Sequence, residues 1–347
     1  MDFTFTDEQC LFRDAARDFL RGEIKTQRIR ESWNTDSGRD TALWRQLAEI
    51  GLTGVTVPEA HGGLGLDELD FVQLAQECGY VALPEPLVNC ALVAVPLLVA
   101  VGDELAAHWL PKVAAGEARV IAGLAQDPLV EDAHVADLLL YGEGGNLYAL
   151  QPDEYALVRS ESVDPSRRLF RVTPNPGVAA VLDGAQAEPL LAAGFERGAL
   201  GCAAQALGLA QRMLDMSVEY TAQREQFGRP IGSFQAVKHH LADVAVALEY
   251  ARAPVYRAAC SLARGDPRAP LHVAHAKLAA CDAASLAATK SIQVHGAMGY
   301  TWEVDLHIFM KKAWALAGSW GDAASHKARI AEAVLDDGAP LGAGATF

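Results

Sequence analysis

Three stretches of this 347-residue chain combine charged, amide and small residues at spacings that suit a ligand. The first is Arg224-Glu225-Gln226-Phe227-Gly228, followed at once by Arg229-Pro230. A guanidinium at such a Gly- and Pro-containing break, after a long helical stretch, can fork onto phosphate oxygens. The second is Ser233-Phe234-Gln235, and the third is Gln293-Val294-His295-Gly296-Ala297-Met298-Gly299. The third ends a helix in small residues, so a ligand can approach its backbone closely. Without a ligand, Arg224 is a helix-terminal surface charge and the glycines only stop a helix. Glu196-Arg197 sets a carboxylate beside a cation at the expected start of a long helix. Glu196 there is either a general base or a solvated charge favoured by the helix dipole. His272 and His275 can share a helix face, but no third ligand stands at a usable spacing, so packing is expected and no metal. His239, His240 and His307 read the same way, and Trp302 and Trp314 read as core anchors.

Helices must position most of these residues. Residues 1–118 form a helical region: Thr6 can cap a helix carrying Asp7 and Glu8 in its first turn, with Phe12, Ala15, Ala16 and Phe19 at helical spacing. A second helix carries Trp44, Leu47 and Ile50, and a glycine turn spans Pro58 to Gly65. Helices over Asp67 to Tyr80 and Ala91 to Leu110 follow. Residues 119–192 form a small β region. Its short apolar runs (Val120–Leu124, Val135–Tyr141, Leu147–Leu150, Ala156–Val158 and Leu169–Val172) alternate with turn formers. Residues 193–335 return to helix, with Leu207–Tyr220, Val237–Leu262, Leu271–Val294 and Asp305–Leu316 as a four-helix bundle. Pro254 should kink or split the second of these. The tail, 336–347, is Gly- and Ala-rich and expected to be mobile. The fold class is α+β, mainly α.

Composition bounds the rest. Hydrophobic residues make up 51% and charged residues 21%, an ordinary globular balance. A net charge of −15 repels phosphate backbones, so no nucleic-acid partner is expected. Cys90 to Val101, the most apolar stretch, is interrupted by Pro96 and falls well short of the roughly 20 residues a membrane-spanning helix needs. Six scattered cysteines read as reduced, buried thiols, and with no secretory signal at the start the expected location is cytoplasmic.

Helices, a small β region and a helical bundle, together with these three segments, resemble the acyl-CoA dehydrogenase family over essentially the whole chain. Trp44 to Leu52, Val57-Pro58-Glu59 with Gly62-Gly63-Leu64-Gly65, and Leu110-Pro111 with Ala115-Gly116-Glu117 resemble its N-terminal landmarks. The resemblance implies FAD, an acyl-CoA substrate oxidised to the trans-2-enoyl-CoA, and an electron-accepting protein. It also implies that Arg224, Gln226, Phe227, Gln235 and the segment Gln293, Val294, His295, Gly296, Ala297 and Gly299 hold the ADP end of FAD bound mainly by a neighbouring subunit.

Two parts of that family pattern are missing. The strand that normally supplies donors to the flavin ring reads Leu124-Ala125-Gln126-Asp127-Pro128-Leu129-Val130, where only the proline matches. At one usual base position, Ser319-Trp320-Gly321-Asp322 puts Trp320 in place of the glutamate, and Asp322 reads as a helix cap. At the other, the register falls on Gly198-Ala199. Glu196 stands two residues earlier, close to the opposite helix face at about 100° per residue. The chain thus resembles the smaller, catalytically degenerate subunit of a heteromeric acyl-CoA dehydrogenase of bacterial steroid or dicarboxylate breakdown, in a heterotetramer with a paralogous partner. The alternatives are a self-sufficient enzyme using Glu196 and a non-catalytic scaffold.

Overall fold

A computed structural model gives the architecture and describes residues 4–124, 127–335 and 338. The tail expected over 336–347, Gly338 apart, and Ala125 and Gln126 of the ring strand lie outside the described residues. Two compact units emerge: Met1–Leu74 with Leu83–Gly201, and Ala75–Ala82 with Cys202–Phe347.

The first unit opens with α1 (Asp7–Glu23), whose start is a capping box: the Gln9 N–H donates to the Thr6 hydroxyl while the Gln9 side chain accepts from the Thr6 N–H. α2 (Thr26–Trp33) and α3 (Thr41–Glu49) follow, and Asp40 caps α3 by accepting from the N–H groups of Ala42 and Leu43. α3 buries Leu43, Trp44 and Leu47 at i, i+1 and i+4, one apolar stripe. α4 (Glu68–Tyr80) starts here. The helix expected over Ala91–Leu110 is broken into a π-helical turn (Asn89–Ala94), α5 (Val95–Val101) and α6 (Asp103–Ala114). Gly102, at φ +73°, makes the break between the last two.

The β region lies in the same unit as two three-stranded sheets. β1 (Val120–Leu124) pairs in parallel with β3 (Leu138–Glu143), which pairs antiparallel with β4 (Asn146–Leu150). β2 (Val130–Glu131), β5 (Tyr155–Ser160) and β6 (Leu169–Pro174) form the second, in the order β2-β6-β5. Ile121, Leu139, Leu150, Phe170 and Val172 meet in one apolar cluster. β1 is an edge strand, and the Asn89 side chain covers part of that edge: its amide donates to the Ala122 carbonyl (2.9 Å) and its carbonyl accepts the Ala122 N–H (2.8 Å).

α7 (Gly184–Gln223) begins in the first unit and ends in the second. It is far longer than the Leu207–Tyr220 expected, because the apolar pattern continues upstream through Leu191, Ala199, Leu200 and Ala203, all buried. The second unit adds α8 (Gln235–Ala263), α9 (Ala269–His295), α10 (Leu306–Ala317) and α11 (Ala323–Leu335). Pro254 does not split α8, which runs on as one helix. α7 meets residues 76–80 of α4 through glycines: a Cβ on Gly208 would stand 1.9 Å from the Gln76 carbonyl oxygen, and one on Gly79 2.1 Å from that of Gln205. Only glycine permits backbones this close.

Candidate functional site

The end of α7 becomes a tight hairpin. Beyond Gln223 the Arg224 N–H still donates to the Tyr220 carbonyl (2.9 Å), and the Arg224 carbonyl accepts from the Ile231 N–H (2.8 Å). β7 (Glu225–Gln226) and β8 (Arg229–Pro230) pair across a two-residue turn in which Phe227 (φ +55°) and Gly228 (φ +78°) are both left-handed. Left-handed backbone disfavours a bulky residue, and the Phe227 side chain is also 91% exposed. Phe227 meets the Phe234 ring edge-on at 6.0 Å, and the Arg229 guanidinium lies 4.2 Å from the centre of that ring. Arg224, Gln226 and Gln235 are exposed, and the Arg224 side chain makes no hydrogen bond or ion pair among the described residues.

The end of α9 stands beside this hairpin. Tyr220, one turn before Arg224, stacks on His295 with ring centres 4.2 Å apart and planes inclined by 19°, and its hydroxyl donates to the His295 carbonyl (3.4 Å). The Arg224 and Gln293 segments therefore come together, and Tyr220 is the residue that sequence reasoning missed. Its signal was its position one helical turn upstream of Arg224. The His295 ring is buried, its Nδ1–H donates to the Ser291 carbonyl (2.8 Å), and burial holds its pKa below the ordinary value. Val294 and Gly299 are also buried, whereas Gln293, Gly296 and Ala297 are exposed. Gly296 ends α9 at φ +59°, with nothing within 4 Å of where a Cβ would be. The exposed set is a guanidinium, three amide side chains, an open glycine backbone and an apolar ring. Such donors fit a diphosphate with an adenine beside it.

The turn at one usual base position is held from below. Trp320 (φ +53°) and Gly321 (φ +86°) are left-handed, and Trp320 is half-buried. His326, fully buried, donates Nε2–H to the Trp320 carbonyl (2.9 Å) and accepts at Nδ1 from Arg329 (3.4 Å). Lys277, 2% exposed, gives Nζ–H to the Leu316 (2.9 Å) and Ala317 (3.3 Å) carbonyls at the end of α10. The only carboxylate of the turn, Asp322, accepts the Ser325 N–H (2.8 Å) at the start of α11, which draws its pKa down. Lys277 had no sequence signal, because it acts on backbone carbonyls about forty residues along the chain, and His326 had none, because its partner is a backbone carbonyl, which any residue at 320 would supply.

Glu196 is neither at a helix start nor solvated. α7 begins twelve residues upstream at Gly184 and passes through position 196 without a break, and Glu196 is 7% exposed. No loop is available to absorb the two-residue slip, so Glu196 and Gly198 point to nearly opposite faces. Gly194 and Gly201 lie on the Gly198 side, and added Cβ atoms there would stand 3.2 Å from Leu97 and Leu124 and 2.6 Å from Val88. Arg197 pairs with Glu68 (2.6 Å).

The loop after β2 is also tied into its own unit. Asp132, left-handed at φ +64°, forms a buried ion pair with Arg39, which also donates to the Ser166 carbonyl (2.8 Å). Complete burial pushes the Asp132 carboxyl up to about 7 against the pull of Arg39. His272 is buried, its Nδ1 hydrogen-bonded with the Ser261 hydroxyl (2.7 Å), and among the described residues no group of three or more His, Cys, Asp or Glu could hold a metal. Trp302 and Trp314 are exposed, not core anchors: Trp302 packs edge-on to His307 and under Lys311. All six cysteines are free, and Cys10 and Cys260 are only partly buried. No helix among the described residues is long and apolar enough to cross a membrane.

A helical N-terminal region, two small sheets and a bundle in which a long helix runs into a hairpin beside a glycine-ended helix make up the acyl-CoA dehydrogenase fold. The acyl-CoA dehydrogenase N-terminal domain matches residues 6–117 and the C-terminal domain residues 189–335. The chain belongs to the acyl-CoA dehydrogenase family. It is 34% identical over 322 residues to the acyl-CoA dehydrogenase IpdE2 of Mycobacterium tuberculosis, covering 88% of this chain and 91% of that one. Among solved structures, the Tcur3481-Tcur3483 steroid ACAD superposes with a TM-score of 0.86 at 25% identity, covering 96% of this chain and 99% of that one. The ChsE4-ChsE5 complex from Mycobacterium tuberculosis shares the fold, with a TM-score of 0.86 at 24% identity over 98% of this chain and 100% of that one.

Proposed function

We propose that this chain is a subunit of a heteromeric, FAD-dependent acyl-CoA dehydrogenase, and that it supplies the ADP-end contacts to a flavin whose ring and base belong to a paralogous partner. The observation that carries this reading is the contrast between two places in the chain. Arg224, Gln226, Gln235 and Gln293 stand exposed beside the open Gly296 backbone, while the turn at Trp320 has no carboxylate except the capping Asp322. Steroid-ACAD and two-component neighbours of the same fold support it by analogy.

In this reading Arg224 forks onto the diphosphate, the amides of Gln226, Gln235 and Gln293 hydrogen-bond around it, and Phe227 packs against the adenine. Val294 and His295 serve from inside: both are buried, His295 stacks on Tyr220, and they fix the backbone of Gly296, Ala297 and Gly299. When bound, FAD accepts the β-hydrogen of an acyl-CoA as hydride. The α-proton is taken by the partner's carboxylate. The substrate is an acyl-CoA, with a steroid-derived acyl group favoured by the neighbours, the assembly a heterotetramer in the cytoplasm, and the electron acceptor a separate protein.

The test uses the complex of this chain with its partner. Arg224→Ala should lower flavin content, whereas Glu196→Gln should leave flavin and turnover nearly unchanged. Abolished turnover with flavin retained in the Glu196 variant would reverse the assignment of the base. Unchanged flavin in the Arg224 variant would leave only a scaffold.

A further inference from the structure

α8 buries one face, with Val244, Leu248, Ala251 and Val255, and presents a second patterned face to solvent. There Lys238, His239, Ala242, Val246, Glu249 and Tyr250 are all exposed. At about 100° per residue these six fall within an arc of about 120°. Val246 is 55% exposed and Tyr250 79%. Apolar residues along the middle of a stripe with charges at its ends form the pattern of a helix–helix seam. Beside the stripe α7 and α8 enclose an apolar groove of about 510 Å3, lined by Leu214 and Val218 of α7 and Leu241, Ala242 and Ala245 of α8. Stripe and groove share Ala242 and make one continuous surface.

Charge along the stripe selects what covers it. Lys238 stands at its N-terminal end and Glu249 about three turns further on. Lys238, His239 and Tyr250 make no side-chain hydrogen bond or ion pair among the described residues. Glu249 is engaged by Arg252 of its own helix (2.9 Å) and remains exposed. A second α8 laid parallel would set lysine against lysine and glutamate against glutamate. Laid antiparallel about a two-fold axis beside residue 244, it sets Lys238 against Glu249, His239 against Tyr250 and Ala242 against Val246. Each pairing then occurs twice, and each small Ala242 leaves room for the Val246 opposite. Such self-complementarity is the requirement of an isologous contact.

We propose that this face of α8 is a homotypic interface, on which a second copy of the chain packs its own α8 antiparallel. Val246 of each copy sits over Ala242 of the other at the edge of the groove, and Lys238 pairs with Glu249 across the two-fold axis. The contact does not depend on the flavin reading, because the Arg224 hairpin lies outside the stripe. In the heterotetramer proposed above, it is the contact that joins one heterodimer to the other.

Sedimentation equilibrium of the full chain over a dilution series tests this. Twice the 37.0 kDa chain mass is expected at high concentration, with dissociation at about 10 μM or below. Val246→Glu sets carboxylates at the centre of the seam and should weaken self-association about tenfold or more. Lys238→Glu and Glu249→Lys should each weaken it too, because each sets like charges opposite one another twice. The double charge reversal should recover most of that loss, which a merely structural role for either side chain would not produce. All three residues are exposed, so the variants should keep the wild-type unfolding midpoint. A chain that stays monomeric throughout would overturn the interface and leave this face to the paralogous subunit. So would a dimer indifferent to Val246→Glu, or a double reversal no stronger than the single ones. Flavin content of the complex is a separate readout that Val246→Glu should not move, so failure here leaves the flavin reading standing.

Discussion

Gly208→Ala should destabilise the chain although it improves the intrinsic helix propensity of α7. An added Cβ would stand 1.9 Å from the Gln76 carbonyl oxygen and 2.5 Å from the Tyr80 nitrogen, against an ordinary contact of at least 3.4 Å. The shortfall at Gln76 is 3.4 − 1.9 = 1.5 Å. Both obstructing atoms are backbone, so no side chain can swing aside and the two helices must part. A gap of about 1 Å forfeits a quarter to a half of each contact along the crossing, and overpacking of this kind costs about 3 kcal/mol at its upper end. Gly to Ala returns about 1 kcal/mol in helix propensity, leaving a net loss of about 2 kcal/mol. Equilibrium unfolding in urea measures it. Gly22→Ala is the control: Gly22 lies in α1 with nothing within 4 Å of the new methyl, and should gain up to about 1 kcal/mol. A Gly208 variant as stable as wild type would refute the close crossing of α7 with residues 76–80.

Removing either member of the Arg39–Asp132 pair, which are 3% and 1% exposed at their side chains, should cost about 3–5 kcal/mol, because the survivor is left buried without its partner: Arg39 keeps an uncompensated charge, and Asp132 must take up a proton. Arg39→Met combined with Asp132→Leu should cost much less than the two single losses added, a non-additivity that a double-mutant cycle reads directly. Lys277→Met keeps the buried volume but removes the donor from two α10 carbonyls. It should cost about 2 kcal/mol and speed amide exchange around residues 316–320. Burial holds His272, His275, His295 and His326 below the ordinary 6.5. A depressed folded pKa gives stability that is present above pH 6.5 and is lost as pH falls below it towards the folded values. The unfolding midpoint should therefore drop between about pH 7 and 5, and drop less in His326→Gln; a flat profile would contradict buried neutral imidazoles.

Most elements were legible because the chain punctuates them locally. Thr6 and Asp322 announce helix starts through side chains that reach their own backbone, and the apolar runs of β1 and β3 to β6 are bounded by turn formers. The misses share a cause: tertiary contacts overrode local signals. Pro254 does not divide α8, because packing along its buried stripe from Val244 to Ala259 continues across the proline. Glu196 was expected at a helix start, because the glycines and alanines upstream read as a weak pattern when taken without their partners. The site divides the same way. Arg224, Gln226 and Gln235 were visible as types at a break, but the Tyr220–His295 stack joining two distant segments could be seen only in three dimensions.

The most direct test of the partner-dependent flavin site is the flavin content of this chain purified alone, read from visible absorbance against protein concentration, and again after co-purification with a paralogous dehydrogenase subunit. Near-zero flavin alone and fewer flavins than chains in the complex is the expected result. About one flavin per chain in the isolated protein would contradict it, since the ring and the ADP end would then both be held without a partner of another sequence.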